Sequence, residues 1–143
     1  MKNIFFILFA TLFFSAIAVE QEPLLVTVTN IKEVVGNVRI GIYKSVNDFP
    51  DEKDTYKNKI YKISKTGTIT LEINDLPYGN YAIALYQDKN KNGTMDKNFV
   101  GVPKEPFAFT NNIKPRFSAP SFEDCEITYS EDNHKITVNL LNY

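Results

Sequence analysis

From Leu24 to Leu141 the apolar residues of this chain fall at every second position in short runs, and that period of two restricts its fold more than any other feature. A strand sends alternate side chains to opposite faces, so each run can bury one face; a helix with the same pattern would scatter its apolar groups around its axis. Leu24, Val26 and Val28 share one side of a run that ends at Ile31, and Val38, Ile40 and Ile42 share one side of the next, after the turn Gly36-Asn37. Tyr61 and Ile63 resume the alternation. Lys65-Thr66-Gly67 then makes a turn, and Ile69, Leu71 and Ile73 oppose Thr68, Thr70 and Glu72, which predicts a hairpin with one wet face.

Leu76-Pro77-Tyr78-Gly79 has turn chemistry, and the strand it introduces differs from the others. In Tyr81 to Tyr86 both alternating sets are apolar or aromatic, so this strand is expected at the centre, covered on both faces. The polar segment from Lys44 to Lys59 reads as a long connection with room for one helical turn after Asp51. Phe99 to Pro120 reads as a packed irregular excursion, because Phe99, Phe107, Phe109 and Phe117 argue against disorder. Phe122–Tyr129 and Lys135–Leu141 are expected to pair as a hairpin around Ser130-Glu131-Asp132-Asn133. With no repeat and no helix-period segment, the fold class is all-β: an antiparallel two-sheet sandwich of about seven strands, of immunoglobulin or transthyretin type.

The first residues stand outside that pattern. Lys2 precedes an apolar run from Ile4 to Phe14, and Ala16-Ile17-Ala18 offers small residues at cleavage spacing, as in a secretory signal peptide over residues 1–18. The run is shorter than the roughly 20 residues of a membrane span, so no stable membrane insertion is expected after cleavage. The expected product is an exported chain, periplasmic or secreted, with residues 19–143 as one domain. It carries 15 basic and 17 acidic side chains in no like-charged block, which excludes nucleic acid as a partner class. Cys125 is the only cysteine, so no internal disulfide forms; its alternation with Asp124 and Glu126 puts it on the apolar face of a strand.

Chemistry concentrates in Asp88-Lys89-Asn90-Lys91-Asn92-Gly93-Thr94-Met95-Asp96. Calcium takes six to eight oxygen ligands, and its helix-flanked loop supplies them from alternate positions with glycine at the sixth and a carbonyl at the seventh. Asp88, Asn90 and Asn92 fill the first three places, Gly93 the turn, Thr94 would offer its carbonyl, and Asp96 stands where a direct or water-mediated ligand belongs. Lys89, Lys91 and Lys97 would point outward. The twelfth place, which needs a bidentate glutamate, holds Phe99, so this is not an EF-hand. Glu105 is the nearest acidic residue after the loop and could return the missing carboxylate, with Asn98 and Asn111 as further donors. Asp, Asn and Gly also make turns with no ion present. With so little charge, affinity for calcium is expected on the order of 10⁻⁴ to 10⁻³ M.

Other chemistry finds less support. His134 could pair with Cys125 only if the thiol were exposed, and one His with one Cys cannot close a zinc shell. The chain therefore reads as a binding protein for an unidentified protein or glycan partner rather than an enzyme. The main reading is an exported non-enzymatic sandwich with a calcium loop. The alternative is a small-ligand or glycan-binding module that uses Tyr43, Tyr78 and Tyr86 as exposed platforms.

Several segments in order carry a resemblance: Leu76-Pro77-Tyr78-Gly79-Asn80-Tyr81-Ala82-Ile83, the Asp88 loop with Asn98, Gly101-Val102-Pro103-Lys104-Glu105, and Phe109-Thr110-Asn111-Asn112. Together they resemble the bacterial domain of unknown function 2141 family of small exported proteins. The Leu-Pro-x-Gly-x-Tyr segment is also similar to transthyretin-like and carboxypeptidase-regulatory-like sandwiches. The resemblance implies an exported β-sandwich with that loop as its signature, draws attention to Glu105, Asn111 and Asn112, and implies no activity.

Overall fold

A computed structural model describes residues 21–142, so the signal peptide expected at residues 1–18 lies outside the described residues. Eight strands are formed among them: β1 (Leu24–Ile31), β2 (Asn37–Tyr43), β3 (Lys57–Lys62), β4 (Gly67–Ile73), β5 (Gly79–Asp88), β6 (Phe107–Phe109), β7 (Ile127–Tyr129) and β8 (Lys135–Asn139). A tight turn, Thr110–Asn112, follows β6, and a one-turn helix, α1 (Phe122–Cys125), precedes β7. One sheet has the order β4-β1-β8, the other β3-β2-β5-β6, and β7 pairs with the first residues of β5. Every pairing is antiparallel except that of β1 with β8, the first strand with the last. Parallel neighbours need a long crossover, and here the whole intervening chain supplies it.

The two sheets face each other through the residues that the alternation selected. Leu24, Val26, Val28, Ile69, Leu71, Ile73 and Val138 from one sheet meet Val38, Ile40, Ile42, Tyr81, Ile83 and Leu85 from the other, all buried. Each such side chain contributes roughly 1.5–3 kcal/mol on leaving water. A second, smaller cluster lies on the outer face of the five-stranded sheet, where Ala82 and Tyr86 of β5 join Tyr43, Phe107, Phe109, Phe122 and Cys125. The central strand is therefore covered on both faces, as its doubly apolar sequence predicts.

Six expectations need correction. β3 and β4 are not a hairpin: β3 pairs with β2 and β4 with β1, so residues 63–66 cross between the sheets. Alternation cannot distinguish these arrangements, since two strands facing each other across a core bury the same positions as two that pair. The Tyr61 hydroxyl bridges the gap, donating to the Glu72 carbonyl at 2.6 Å. The last two strands likewise belong to different sheets. Phe122–Cys125 is a helical turn held by a capping box, with the Ser121 hydroxyl accepting from Asp124 N and the Asp124 carboxylate from Ser121 N.

The 44–59 connection ends earlier than expected, because β3 begins at Lys57. The segment after Asp51 forms turns rather than a helix. Finally, the 99–120 excursion is only half packed. Phe107 and Phe109 are buried, but Phe99 and Phe117 are fully exposed.

Candidate functional site

β5 ends at Asp88, and the loop that follows is organised by side-chain oxygens turned inward onto main-chain N–H groups. Asp88 Oδ1 accepts from Asn92 N at 3.1 Å, and Oδ2 accepts from Gly93 N at 3.1 Å. Asn90 Oδ1 accepts from the same Asn92 N at 3.0 Å, and Asn92 Oδ1 accepts from Thr94 N at 3.0 Å and from the Thr94 hydroxyl at 3.2 Å. Short carbonyl-bearing side chains two residues before an N–H make such turns, so the alternation from 88 to 92 is what winds the loop. Gly93 has φ +85°, in the left-handed region the sequence requires of it.

The far side of the loop converges on Asp96. Asn90 Nδ2 donates to Asp96 Oδ2 at 2.6 Å, and Asn92 Nδ2 to Oδ1 at 3.0 Å. Glu105 does fold back. Its Oε1 accepts from Lys89 N at 2.8 Å and its Oε2 from Asp96 N at 3.2 Å, so one buried carboxylate ties the loop's beginning to its end. The return path is strand-like, with Lys104 N donating to Asp96 O at 2.8 Å and an isolated bridge between Lys97 and Pro103.

All six expected site residues, Asp88, Asn90, Asn92, Thr94, Asp96 and Glu105, thus belong to one hydrogen-bonded unit. Lys91 and Lys97 are exposed as expected, while Lys89 is half-buried and reaches Glu33 at 3.3 Å. The further donors behave differently. Asn98 winds its own turn, accepting from Val100 N and Val102 N at 3.0 Å each. Asn111 points away from the loop, donating to the carbonyls of Asp124 and Glu126 at 3.0 Å each.

Three contributors were not visible in the spacing. Arg39 Nε donates to Asp88 Oδ2 at 2.7 Å, which compensates a carboxylate with no exposure at all. A charge buried to that degree without a partner would be costly, and no local pattern announces a partner 49 positions away. Gly36 lies so close that a Cβ there would sit 2.0 Å from the Asp88 carbonyl oxygen. Glu52 accepts from Met95 N at 3.0 Å and fastens the loop to the 44–56 connection.

The Phe109-Thr110-Asn111-Asn112 segment is structural. Ile83 N donates to the Thr110 hydroxyl at 3.0 Å, and that hydroxyl donates to the Cys125 carbonyl at 2.5 Å. Asn112 serves β8, donating to Thr137 O at 3.1 Å and accepting from Asn139 N at 2.7 Å. Cys125 is fully buried, although in α1 rather than a strand, and burial pushes its thiol up to about 12. His134 contacts the Glu131 carbonyl through Nδ1 at 2.7 Å, not the thiol. Of the three tyrosines, Tyr43 and Tyr86 are buried, and burial raises both phenols, with Glu52 adding to the rise. Tyr78 is exposed and meets the Tyr129 ring edge-on at 4.9 Å.

The fold and loop define a small β-sandwich whose central strand runs into a self-closed, asparagine-rich loop. Residues 26–137 match the family described as "Uncharacterized protein conserved in bacteria (DUF2141)", and the chain belongs to it. Neither the curated proteins nor the solved structures contain a significant match.

Proposed function

We propose that this protein is an exported, non-enzymatic binding module whose loop 88–96, closed by Glu105, takes up a calcium ion that stiffens the surface it presents to a partner. The observation that carries the reading is the convergence of Asn90 and Asn92 on the Asp96 carboxylate, on a loop that Glu105 ties end to end. An asparagine amide has nitrogen and oxygen on the two arms of one fork. The Asn90 and Asn92 nitrogens reach the Asp96 carboxylate while their oxygens hold main-chain N–H groups of the loop, so amide and carboxylate oxygens are gathered in one turn, and a hard cation favours an oxygen-rich setting. Export is supported by the leader-like first 18 residues.

The charge at the site sets the strength. Among the described residues no group of three or more His, Cys, Asp or Glu side chains could hold a metal, and the Asp88 charge is already balanced by Arg39. Binding in the 10⁻⁴ to 10⁻³ M order of extracellular modules follows. Thermal melts in EDTA and in millimolar calcium test the reading. A higher melting temperature in calcium supports it; identical melts would sink it.

A further inference from the structure

The outer face of the five-stranded sheet holds a feature the loop does not explain. Two rows of side chains cross it in register: Ile60, Arg39, Tyr86 and Phe107, and beside them Asn58, Gly41, Ala84 and Phe109. Gly41 and Ala84 are the small members and stand opposite each other, with the Tyr43 ring packed over Gly41. A groove of about 1150 Å³ lies over these rows, walled by parts of segments 48–53, 93–103 and 115–119.

Two polar groups in this groove lack protein partners. Tyr86 is only 8% exposed, yet its hydroxyl makes no hydrogen bond among the described residues. No side-chain N or O atom shut off from solvent is left unpaired, so that hydroxyl opens into the groove it lines. Arg39, opposite Tyr86 in register, uses Nε for Asp88, while its Nη atoms make no hydrogen bond among the described residues.

The charges indicate the kind of guest. Arg39 is neutralised by Asp88, so it offers hydrogen-bond donors rather than free positive charge. The walls carry both signs, Asp48, Asp51 and Glu52 with Lys53, Lys59, Lys97 and Arg116, so the lining has no strong excess of either charge to select an anion or a cation. Phe117 is a fully exposed ring at the rim. A neutral molecule with several hydroxyls and flat C–H faces suits this combination.

We propose that the groove binds a neutral oligosaccharide, with the Tyr86 hydroxyl and the Arg39 Nη groups hydrogen-bonded to sugar hydroxyls and Phe117 packed on a ring face. Calorimetric titration of the purified chain with neutral tetrasaccharides of glucose, N-acetylglucosamine, mannose and xylose, in EDTA and again in calcium, tests it. At least one should bind saturably and shift the amide resonances of Arg39, Gly41 and Ala84. Tyr86→Phe should weaken that binding about five- to tenfold, the worth of one hydrogen bond, without lowering the melting temperature, because the hydroxyl serves no protein group. Ala84→Leu should abolish it by filling the floor. Absence of binding by every neutral sugar, equal binding by both variants, or preference for a uronic-acid oligomer would overturn the proposal.

Discussion

Replacing Glu105 by alanine removes the one side chain that joins the start of the loop to its end. Its two oxygens take N–H groups from Lys89 and Asp96, at 2.8 and 3.2 Å, and Glu105 is only 6% exposed. Hydrogen bonds to a charged acceptor are worth about 1.5–3 kcal/mol each. Lys89 and Asp96 are half-buried, so water can recover part of that loss and the net cost should be about 2–4 kcal/mol. For a domain of this size that lowers the melting temperature by roughly 8–15 °C. Glu105→Gln keeps one carbonyl acceptor and should lose about half as much. Calorimetric melts give the global effect, and hydrogen exchange gives the local one, with the Lys89 and Asp96 amides released first. An alanine variant that melted within about 1 °C of the native chain, with both amides still protected, would refute the claim that Glu105 closes the loop.

Arg39→Met should cost about 2–4 kcal/mol, because it strands the buried Asp88 carboxylate, and adding Asp88→Asn should recover part of that in a double-mutant cycle of chemical denaturation. Gly36→Ala should destabilise by more than about 2 kcal/mol, since φ is +71° and the new methyl would overlap the Asp88 carbonyl; a denaturation midpoint close to the native one would contradict the packing. Thr110→Val, nearly the same shape, should cost about 1.5–3 kcal/mol in the same assay by leaving Ile83 N and the Cys125 carbonyl without their hydroxyl. Cys125 should resist iodoacetamide in the native chain and react on unfolding. Burial, then Asp124, raises its thiol from 9.0 to about 12, so the associated stability is complete below pH 9 and is lost as pH climbs toward 12. Cys125→Ala should flatten that part of the alkaline stability profile.

The inward-facing residues were legible because period-two alternation depends only on which face is buried. Leu24, Val26, Val28, Val38, Ile40 and Ile42 all lie in the core, and the doubly apolar β5 is covered on both sides. Pairing was not legible, because alternation is blind to whether the next strand lies beside its predecessor or across the core. For that reason alternation suggests β3–β4 and β7–β8 hairpins where the fold pairs each of these strands elsewhere. A local signal did exist for α1: Ser121-Phe122-Glu123-Asp124 reads as a capping box, and it outweighed the alternation around Cys125.

In the loop, the spacing of Asp88, Asn90 and Asn92 pointed to inward oxygens that the fold uses on main-chain N–H groups, and Glu105 stood out only as the nearest acidic residue able to return. Arg39, Gly36 and Glu52 reach the loop through tertiary contacts, which no spacing encodes. Phe99 and Phe117 show the same limit from the other side, since an aromatic in an irregular segment can mark a core or a rim, and composition alone does not say which.

Calcium uptake by loop 88–96 can be followed in the amide resonances of the EDTA-stripped protein during a calcium titration. Saturable one-site shifts confined to residues 88–96 and 105 are expected, with Kd on the order of 10⁻⁴ to 10⁻³ M, and they should be lost in Asp96→Asn. Spectra unchanged up to millimolar calcium, or shifts that persist in Asp96→Asn, would contradict that uptake.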